Sequence, residues 1–306
     1  MALCRTSTWW PISIYATILL GTVFFVNLDV LLSPPAFAKR AVVKSRRAQA
    51  VNKDGQTLPW RRGVPAKSIL LKELNSGRIL YEHESGKRLS PASLTKIMSA
   101  LVILEQGRLD DLATVSPAAA RAPKTHLRLK AGQVFRLEDL LKAMLIVSAN
   151  DACLAAVEHV GGDESQFVML MNAKAAALGL RDTHFSNACG FDNPNHYSTA
   201  EDLAALSVIA LEQPIFRELV REERATIMPV NGTRGYVLRT TNRLLGRIPG
   251  VEGIKTGFTS KAGRCLIAKV SQNGSDLLLV ILNAKRRWNT ATSLINFGLK
   301  ASGSLQ

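Results

Sequence analysis

The spacing of apolar residues divides the chain into strands near its two ends and helices between them. Ser68 to Leu74 and Arg78 to Glu82 read as strands joined into a hairpin by Asn75-Ser76-Gly77. Leu94, Ile97, Met98 and Leu101 then recur at helical spacing, with Ser90 as N-cap, Pro91 at the first helical position and Gly107 as the stop. Gln106 to Gln133 is mixed, with turn signals at Pro117 and Pro123. A stripe of Leu137, Leu140, Leu141 and Met144 predicts a second helix ending near Ser148. Asp151 to Val160 predicts a third, broken by Gly161-Gly162, and Asp163 to Leu178 a fourth, with Gly179 just past its end. Ser198-Thr199-Ala200-Glu201 has capping-box spacing and opens another helix, with Leu203 and Leu206 facing inward. Gly263 to Val270 and Asp276 to Asn283 are strand-like, and Thr290 to Leu299 is a last helix. This order predicts an α+β domain, a mostly antiparallel sheet with a helical cluster.

Composition adds segments outside that domain. The chain has 306 residues, 47% hydrophobic and 21% charged, which suits one globular domain with extensions. Residues 1–38 have the pattern of an export signal: Arg5, an apolar run from Ile12 to Val26, and Ala36-Phe37-Ala38 as a cleavage site before Lys39. Asn27 and Asp29 interrupt the run, leaving it short for a membrane span, so cleavage is expected; the competing reading is an uncleaved N-terminal anchor. Residues 39–66 form a basic leader, 67–301 the folded domain and 302–306 a tail. Lys39 to Lys67 holds nine Lys or Arg against one acid, Asp54, and the net charge is +15. That field favours an anionic membrane or wall surface as partner. No zinc-finger or RNA-recognition signature is present, and nucleic acid is not expected.

Cys4 lies in the export segment, leaving three cysteines, which is no disulfide framework. Cys153 and Cys265, in apolar runs, are expected to be buried thiols; Cys189, in a loop, is the one to test for reactivity. His83, His126, His159, His184 and His196 are scattered and read as surface or loop residues. No metal and no cofactor is expected.

The chemistry centres on Ser93-Leu94-Thr95-Lys96. One helical turn separates Ser93 from Lys96, and a serine at a helix start beside a desolvated lysine can be an activated nucleophile. This spacing occurs by chance about once in a chain of this length. Two later stretches make it specific: Ser148-Ala149-Asn150 after an apolar run, and Lys255-Thr256-Gly257 before one. Ser-x-x-Lys, Ser-x-Asn and Lys-Thr-Gly, in that order, form the triplet of penicillin-binding proteins and class A β-lactamases.

With Pro91-Ala92, Asp151-Ala152, His196-Tyr197-Ser198-Thr199-Ala200 and Gly253-Ile254 around them, these motifs resemble the D-alanyl-D-alanine carboxypeptidases, the low-molecular-weight penicillin-binding proteins. The resemblance covers about Ala66 to Leu299. It implies the serine β-lactamase and DD-peptidase-like fold: a five-stranded antiparallel sheet flanked by helices, with the site between sheet and helical subdomain. It implies removal of the terminal D-alanine from peptidoglycan stem pentapeptides, with β-lactams as covalent inhibitors, in the periplasm or extracytoplasmic wall space. By residue, it implies Ser93 as nucleophile, Lys96 as its base and Ser148 as a proton relay. Asn150 would bind the substrate amide. Lys255, on the edge strand, would hold Ser148 and the field and would stay charged, whereas Lys96 would titrate well below a free lysine. Thr256 and Gly257 join the substrate-binding set, and the backbone N–H groups of Ser93 and Phe258 form the oxyanion hole. A family arginine that binds the substrate carboxylate matches Arg287, with Arg286 as fallback.

Departures are Thr240-Thr241-Asn242 in place of the family's Asn-Thr-Asn, and Cys189 in place of a commoner polar residue. Many members add a β-rich second domain and an amphipathic C-terminal anchor; here the sequence ends at Gln306, so a form not attached through its C-terminus is expected. A β-lactamase reading is disfavoured, because the only Glu-Leu-Asn, Glu73-Leu74-Asn75, precedes Ser93 instead of following Ser148. DD-endopeptidase action on cross-links remains an alternative that the motifs do not separate. A wall-binding penicillin sensor is the non-enzymatic alternative, opposed by the intact Ser93, Lys96, Ser148 and Lys255.

Overall fold

The structure is a computed structural model that describes residues 64–303. The export segment, Cys4, nearly all of the basic leader and the last three residues lie outside the described residues.

The strands are β1 (Ala66–Glu73), β2 (Ile79–His83), β3 (Leu112–Thr114), β4 (Val134–Arg136), β5 (Arg224–Ile227), β6 (Tyr236–Arg239), β7 (Val251–Thr259), β8 (Gly263–Gln272) and β9 (Ser275–Ala284). The helices are α1 (Lys96–Gln106), α2 (Pro117–Ala120), α3 (Leu137–Ile146), α4 (Asn150–Gly161), α5 (Glu164–Ala177), α6 (Ala200–Glu212), α7 (Pro214–Leu219) and α8 (Arg287–Gly303). Five strands pair antiparallel in the order β2-β1-β9-β8-β7, as expected, and β3–β4 and β5–β6 are separate two-stranded ribbons.

The apolar run Leu277 to Leu282 is unbroken because both faces of β9 are covered. Leu278, Val280 and Leu282 join the core shared with the helices; Leu277, Leu279 and Ile281 join the core beneath α8. Helix α1 is buried continuously from Lys96 to Ile103, so it runs through the helical side with no solvent face for two turns. Burying a lysine there is the first sign that the segment is not simply a packing helix.

Several elements begin where their chemistry dictates. Asp163 caps α5 by accepting from the Gln166 N–H, and Gly162 ends α4 at φ +79°. The cap of α6 is shifted by one residue from the Ser198–Glu201 box. Thr199 is the cap and accepts from the Asp202 N–H at 3.0 Å. Ser198 instead exchanges backbone hydrogen bonds with Leu89, and Glu201 accepts from Ser85 Oγ. That pairing ties the Tyr197–Thr199 segment to the chain just before Ser93. Leu203 and Leu206 are buried as expected.

The helix start at Ser90-Pro91 is corrected. Ala92 to Thr95 form a 3₁₀ turn after Pro91, and the α-helix begins only at Lys96. Ala92 takes φ +50°, which no regular first helical turn accommodates. Ser93 therefore projects from a tight turn, not from the first turn of α1.

Candidate active site

Three structural units converge on Ser93: its own 3₁₀ turn, the Ser148–Asn150 junction between α3 and α4, and the edge strand β7. Lys96, first residue of α1, is fully buried, and its Nζ lies 3.3 Å from Ser93 Oγ. The same nitrogen lies 2.7 Å from Asn150 Oδ1 and 2.6 Å from the Cys189 carbonyl. Asn150 Nδ2 donates to the Pro123 carbonyl, which fixes the amide with its oxygen toward the lysine. Both of these partners can only accept. A neutral amine has two hydrogens and one lone pair, so the hydrogens go to Asn150 and Cys189 and the lone pair is left for the Ser93 hydroxyl. Burial pulls Lys96 well below the ordinary lysine range, and the Lys255 ammonium adds to it. Burial favours the neutral amine, and in that state the two fixed acceptors leave its lone pair free to take a proton from Ser93.

Asn150 is thus occupied at both ends by the protein, and in this state its carbonyl holds Lys96. Ser148 sits at φ +64° in the bend between α3 and α4, which turns it out of both helices. The neighbouring Asp151 is buried and accepts from the N–H groups of Leu127, Leu129 and Ala152, pinning the wall that follows Pro123.

The Lys-Thr-Gly segment lies within β7, not ahead of it, and β7 is the open edge of the sheet. Lys255 is buried, and its Nζ donates to the Thr256 carbonyl at 3.2 Å. That carbonyl, not the expected Ser148, is its hydrogen-bond partner. Burial, then Arg287, pulls Lys255 down to about 7, and a substrate carboxylate beside it would favour the charged form. Thr256 Oγ1 meets Thr241 Oγ1 at 2.6 Å, so the substituted Thr240-Thr241-Asn242 stretch still borders the strand. Phe258 is exposed. Arg287 opens α8 and donates from Nη1 to the carbonyls of Gly257 and Cys265, stacking on Trp288. Burial lowers it to about 10, so it remains a cation at neutral pH. Arg286 is exposed and is not held to β7 in this way.

Two glycines press on the Ser93 turn. A Cβ at Gly257 would lie 3.0 Å from the Pro91 oxygen and 3.2 Å from Ser93 N. A Cβ at Gly190, where φ is +86°, would lie 2.1 Å from the Ala92 oxygen and 2.8 Å from Ser93 N. Backbone therefore approaches the nucleophile turn from both sides, which no other residue allows.

Sequence reasoning missed two supports. Cys153 and Cys189 are joined in a disulfide, with Cα atoms 6.1 Å apart, so neither is a free thiol and Cys189 is not a reactive one. The loop after α5 folds back over α4, which a separation of 36 residues did not reveal. The bridge ties the carbonyl that holds Lys96 to the helix that begins at Asn150, and closing a loop of this length contributes about 3–4 kcal/mol in the chain-entropy account. Cys265 is a buried free thiol, as expected.

His196 is the second support. It is buried, not a surface or loop residue. Its Nδ1 accepts from the Ser186 N–H at 3.0 Å, so the ring hydrogen resides on Nε2, which meets Thr95 Oγ1 at 2.7 Å. Thr95 in turn donates to the Ala92 carbonyl at 2.8 Å. Burial, then His184, lowers His196 to about 4, which keeps this tautomer in place at neutral pH. The chain from His196 through Thr95 ends on the carbonyl of the positive-φ residue next to Ser93. A histidine inside a motif-like stretch, six residues past Gly190 in a loop, was the available signal.

Comparison with known proteins agrees with this architecture. A sequence model for the family described as D-alanyl-D-alanine carboxypeptidase matches residues 54–286. The D-alanyl-D-alanine carboxypeptidase DacF of Bacillus subtilis (strain 168) is 32% identical over 295 residues, covering 91% of this chain and 70% of that protein. A D-alanyl-D-alanine endopeptidase of Pseudomonas aeruginosa is 31% identical over 232 residues, 74% of each chain. Among solved structures, the Streptomyces K15 DD-transpeptidase superposes with a TM-score of 0.73 at 28% identity, covering 80% of this chain and 99% of that one.

Proposed function

This chain belongs to the D-alanyl-D-alanine carboxypeptidase family of serine peptidases, and from that premise we propose a residue-level mechanism for removing the terminal D-alanine from peptidoglycan stem pentapeptides. The observation that carries it is the placement of a fully buried Lys96, its Nζ 3.3 Å from Ser93 Oγ and held by Asn150 and the Cys189 carbonyl.

In this reading Lys96 takes the Ser93 proton as Ser93 Oγ attacks the carbonyl between the last two residues. The developing oxyanion is held by the backbone N–H groups of Ser93 and Phe258, each such donor contributing about 3–4 kcal/mol to the transition state. Ser148 passes the proton to the leaving D-alanine amine, and water then releases the acyl-enzyme with Lys96 again as base. Asn150 holds Lys96 and offers its remaining carbonyl lone pair to the substrate amide. Lys255, Thr256 and Arg287 form the cationic end of the cleft, where the terminal carboxylate sits; Gly257 lets the substrate strand lie against β7. A β-lactam would acylate Ser93 by the same steps. The N-terminal segment is read as an export signal removed after Ala38, so that the enzyme works in the periplasm or wall space. The direct test is mass spectrometry of the chain after a β-lactam, with the adduct expected on the peptide carrying Ser93 and nowhere else.

The second reading, DD-endopeptidase action on cross-links, is favoured by the Pseudomonas relative. It uses the same residues and differs only in the leaving group.

Two outcomes follow here. Lys255 carries its charge below about 7 and loses it above. Capture of a carboxylate-ended peptide, read as kcat/KM, should therefore fall as pH rises through that value, since this ratio reports the free enzyme. Lys255→Arg should retain part of the acylation and show no such fall. A wild-type profile flat through this range would remove Lys255 from carboxylate capture. Separately, Gly190→Ala should slow acylation about a hundredfold by displacing the Ser93 turn. It should also cost about 1–3 kcal/mol of stability, read by urea unfolding. Acylation at the wild-type rate would show that the turn does not depend on this contact.

A further inference from the structure

The ribbon β5–β6 has an outward face that the site does not use. Arg224 lies directly opposite Arg239, and Thr226 opposite Val237. All four are exposed, while Ile227 and Leu238 on the other face are buried. Met228 continues the outward series beyond Thr226. Val237 is 65% exposed, Val230 56% and Met228 55%, so aliphatic surface stands in water beside the arginine pair.

The ribbon is held firmly from behind. Tyr236 donates its hydroxyl to Gln133 Oε1, the Val230 N–H to the Val134 carbonyl, and Asn231 Nδ2 to the Gly132 carbonyl. It ends next to the cleft, because Thr241, two residues past β6, touches Thr256.

Two arginines placed opposite each other on one face repel, and the pair is stabilised when an anion lies between them. Among the described residues nothing supplies it. From Arg224 to Val251 there are five arginines and no acid, and Arg224, Arg234 and Arg239 make no ion pair among the described residues. The preceding Glu223 lies over Gly246. Charge alone would suit any polyanion. The exposed valines and methionine distinguish among them, because a hydrated polymer gains nothing from aliphatic contact, whereas a bilayer rewards apolar burial next to phosphates.

We propose that the outward face of this ribbon, with Arg224 and Arg239 clamping a phosphate and Val237 and Met228 entering the acyl boundary, is a docking surface for an anionic phospholipid bilayer. Docking here is separate from any role of the N-terminal segments and brings the cleft next to the membrane surface.

The test places an environment-sensitive NBD dye on the full-length chain at Val237→Cys in a Cys4→Ser background. Cys265 is buried and Cys153 and Cys189 are bonded, so the introduced thiol is the one that labels. A second protein carries the dye at Met169→Cys on α5, also exposed. Vesicles of equal parts phosphatidylcholine and phosphatidylglycerol should shift the dye at 237 to the blue and leave the dye at 169 unchanged; phosphatidylcholine alone should shift neither. Arg224→Gln with Arg239→Gln should lower the ratio of buried to free dye about 30-fold. Thr226→Asp, which places an acid on the same face, should lower it as well. Hydrolysis of a small soluble D-Ala-D-Ala ester should be unchanged in all of them, confirming the fold. A dye at 237 that stays in water while the chain sediments with vesicles would overturn the proposal. So would a response to soluble wall teichoic acid but not to vesicles, which would mark a polymer site.

Discussion

Ser93→Ala should abolish covalent labelling by fluorescent penicillin and lower hydrolysis of a D-Ala-D-Ala peptide by about 10⁴-fold or more, with little change in the thermal midpoint. The side chain is small, sits on a turn held by other residues, and contributes no packing to the core. Removing its oxygen removes the hydroxyl that lies 3.3 Å from Lys96 Nζ. The turn itself is fixed by Thr95, His196 and the two glycines, none of which contacts the lost hydroxyl. Labelling that persists in a folded Ser93→Ala protein would move the nucleophile elsewhere, with Ser148 the next candidate.

Lys96→Arg should lower acylation by about 10²–10⁴-fold, the range of a general base, because a guanidinium cannot give up its proton here. Wild-type acylation should rise with pH through the lowered lysine titration. Below it Lys96 is an ammonium with three hydrogens and no lone pair for Ser93; above it the lone pair is free. Residual acylation in Lys96→Arg should lack that rise. The larger head group must also fit a fully buried slot, so Lys96→Met serves as the uncharged control for folding. Both variants should lose the pH limb. If Lys96→Arg acylates near the wild-type rate with the same rise, another group is the base.

The parts legible in the sequence were those written in local periodicity or motif order. Leu277 to Leu282 announced a strand, and Gly107, Gly162 and Gly179 marked helix ends. Ser93, Lys96, Asn150 and Lys255 were legible because three motifs carry unusual polar residues inside apolar runs. What stayed hidden depends on contacts across long separations. Neither cysteine of the Cys153–Cys189 bridge sits in a repeating pattern. The burial of His196 depends on Thr95, 101 positions away, and its own surroundings read as a loop. The 3₁₀ turn in place of the first helical turn packs against the backbone of Gly190 and Gly257, residues far along the chain. The β5–β6 ribbon escaped notice because its outward face mixes arginine with valine, whereas a half-buried strand alternates cleanly between polar and apolar.

Asn150 illustrates how a role can be placed but incompletely read. The motif marks it as part of the site, yet its bond to Lys96 is visible only once Pro123 is seen to fix the amide orientation.

An acyl-enzyme on Ser93 should trim the end of a stem pentapeptide. Purified chain is incubated with a defined muropeptide pentapeptide and, in parallel, with a cross-linked muropeptide dimer, and products are weighed by mass spectrometry. The pentapeptide should lose one alanine, at a rate well above cleavage of the dimer, and Ser93→Ala should leave both intact. An unchanged pentapeptide beside a cleaved dimer would contradict it and assign the site to cross-link cleavage.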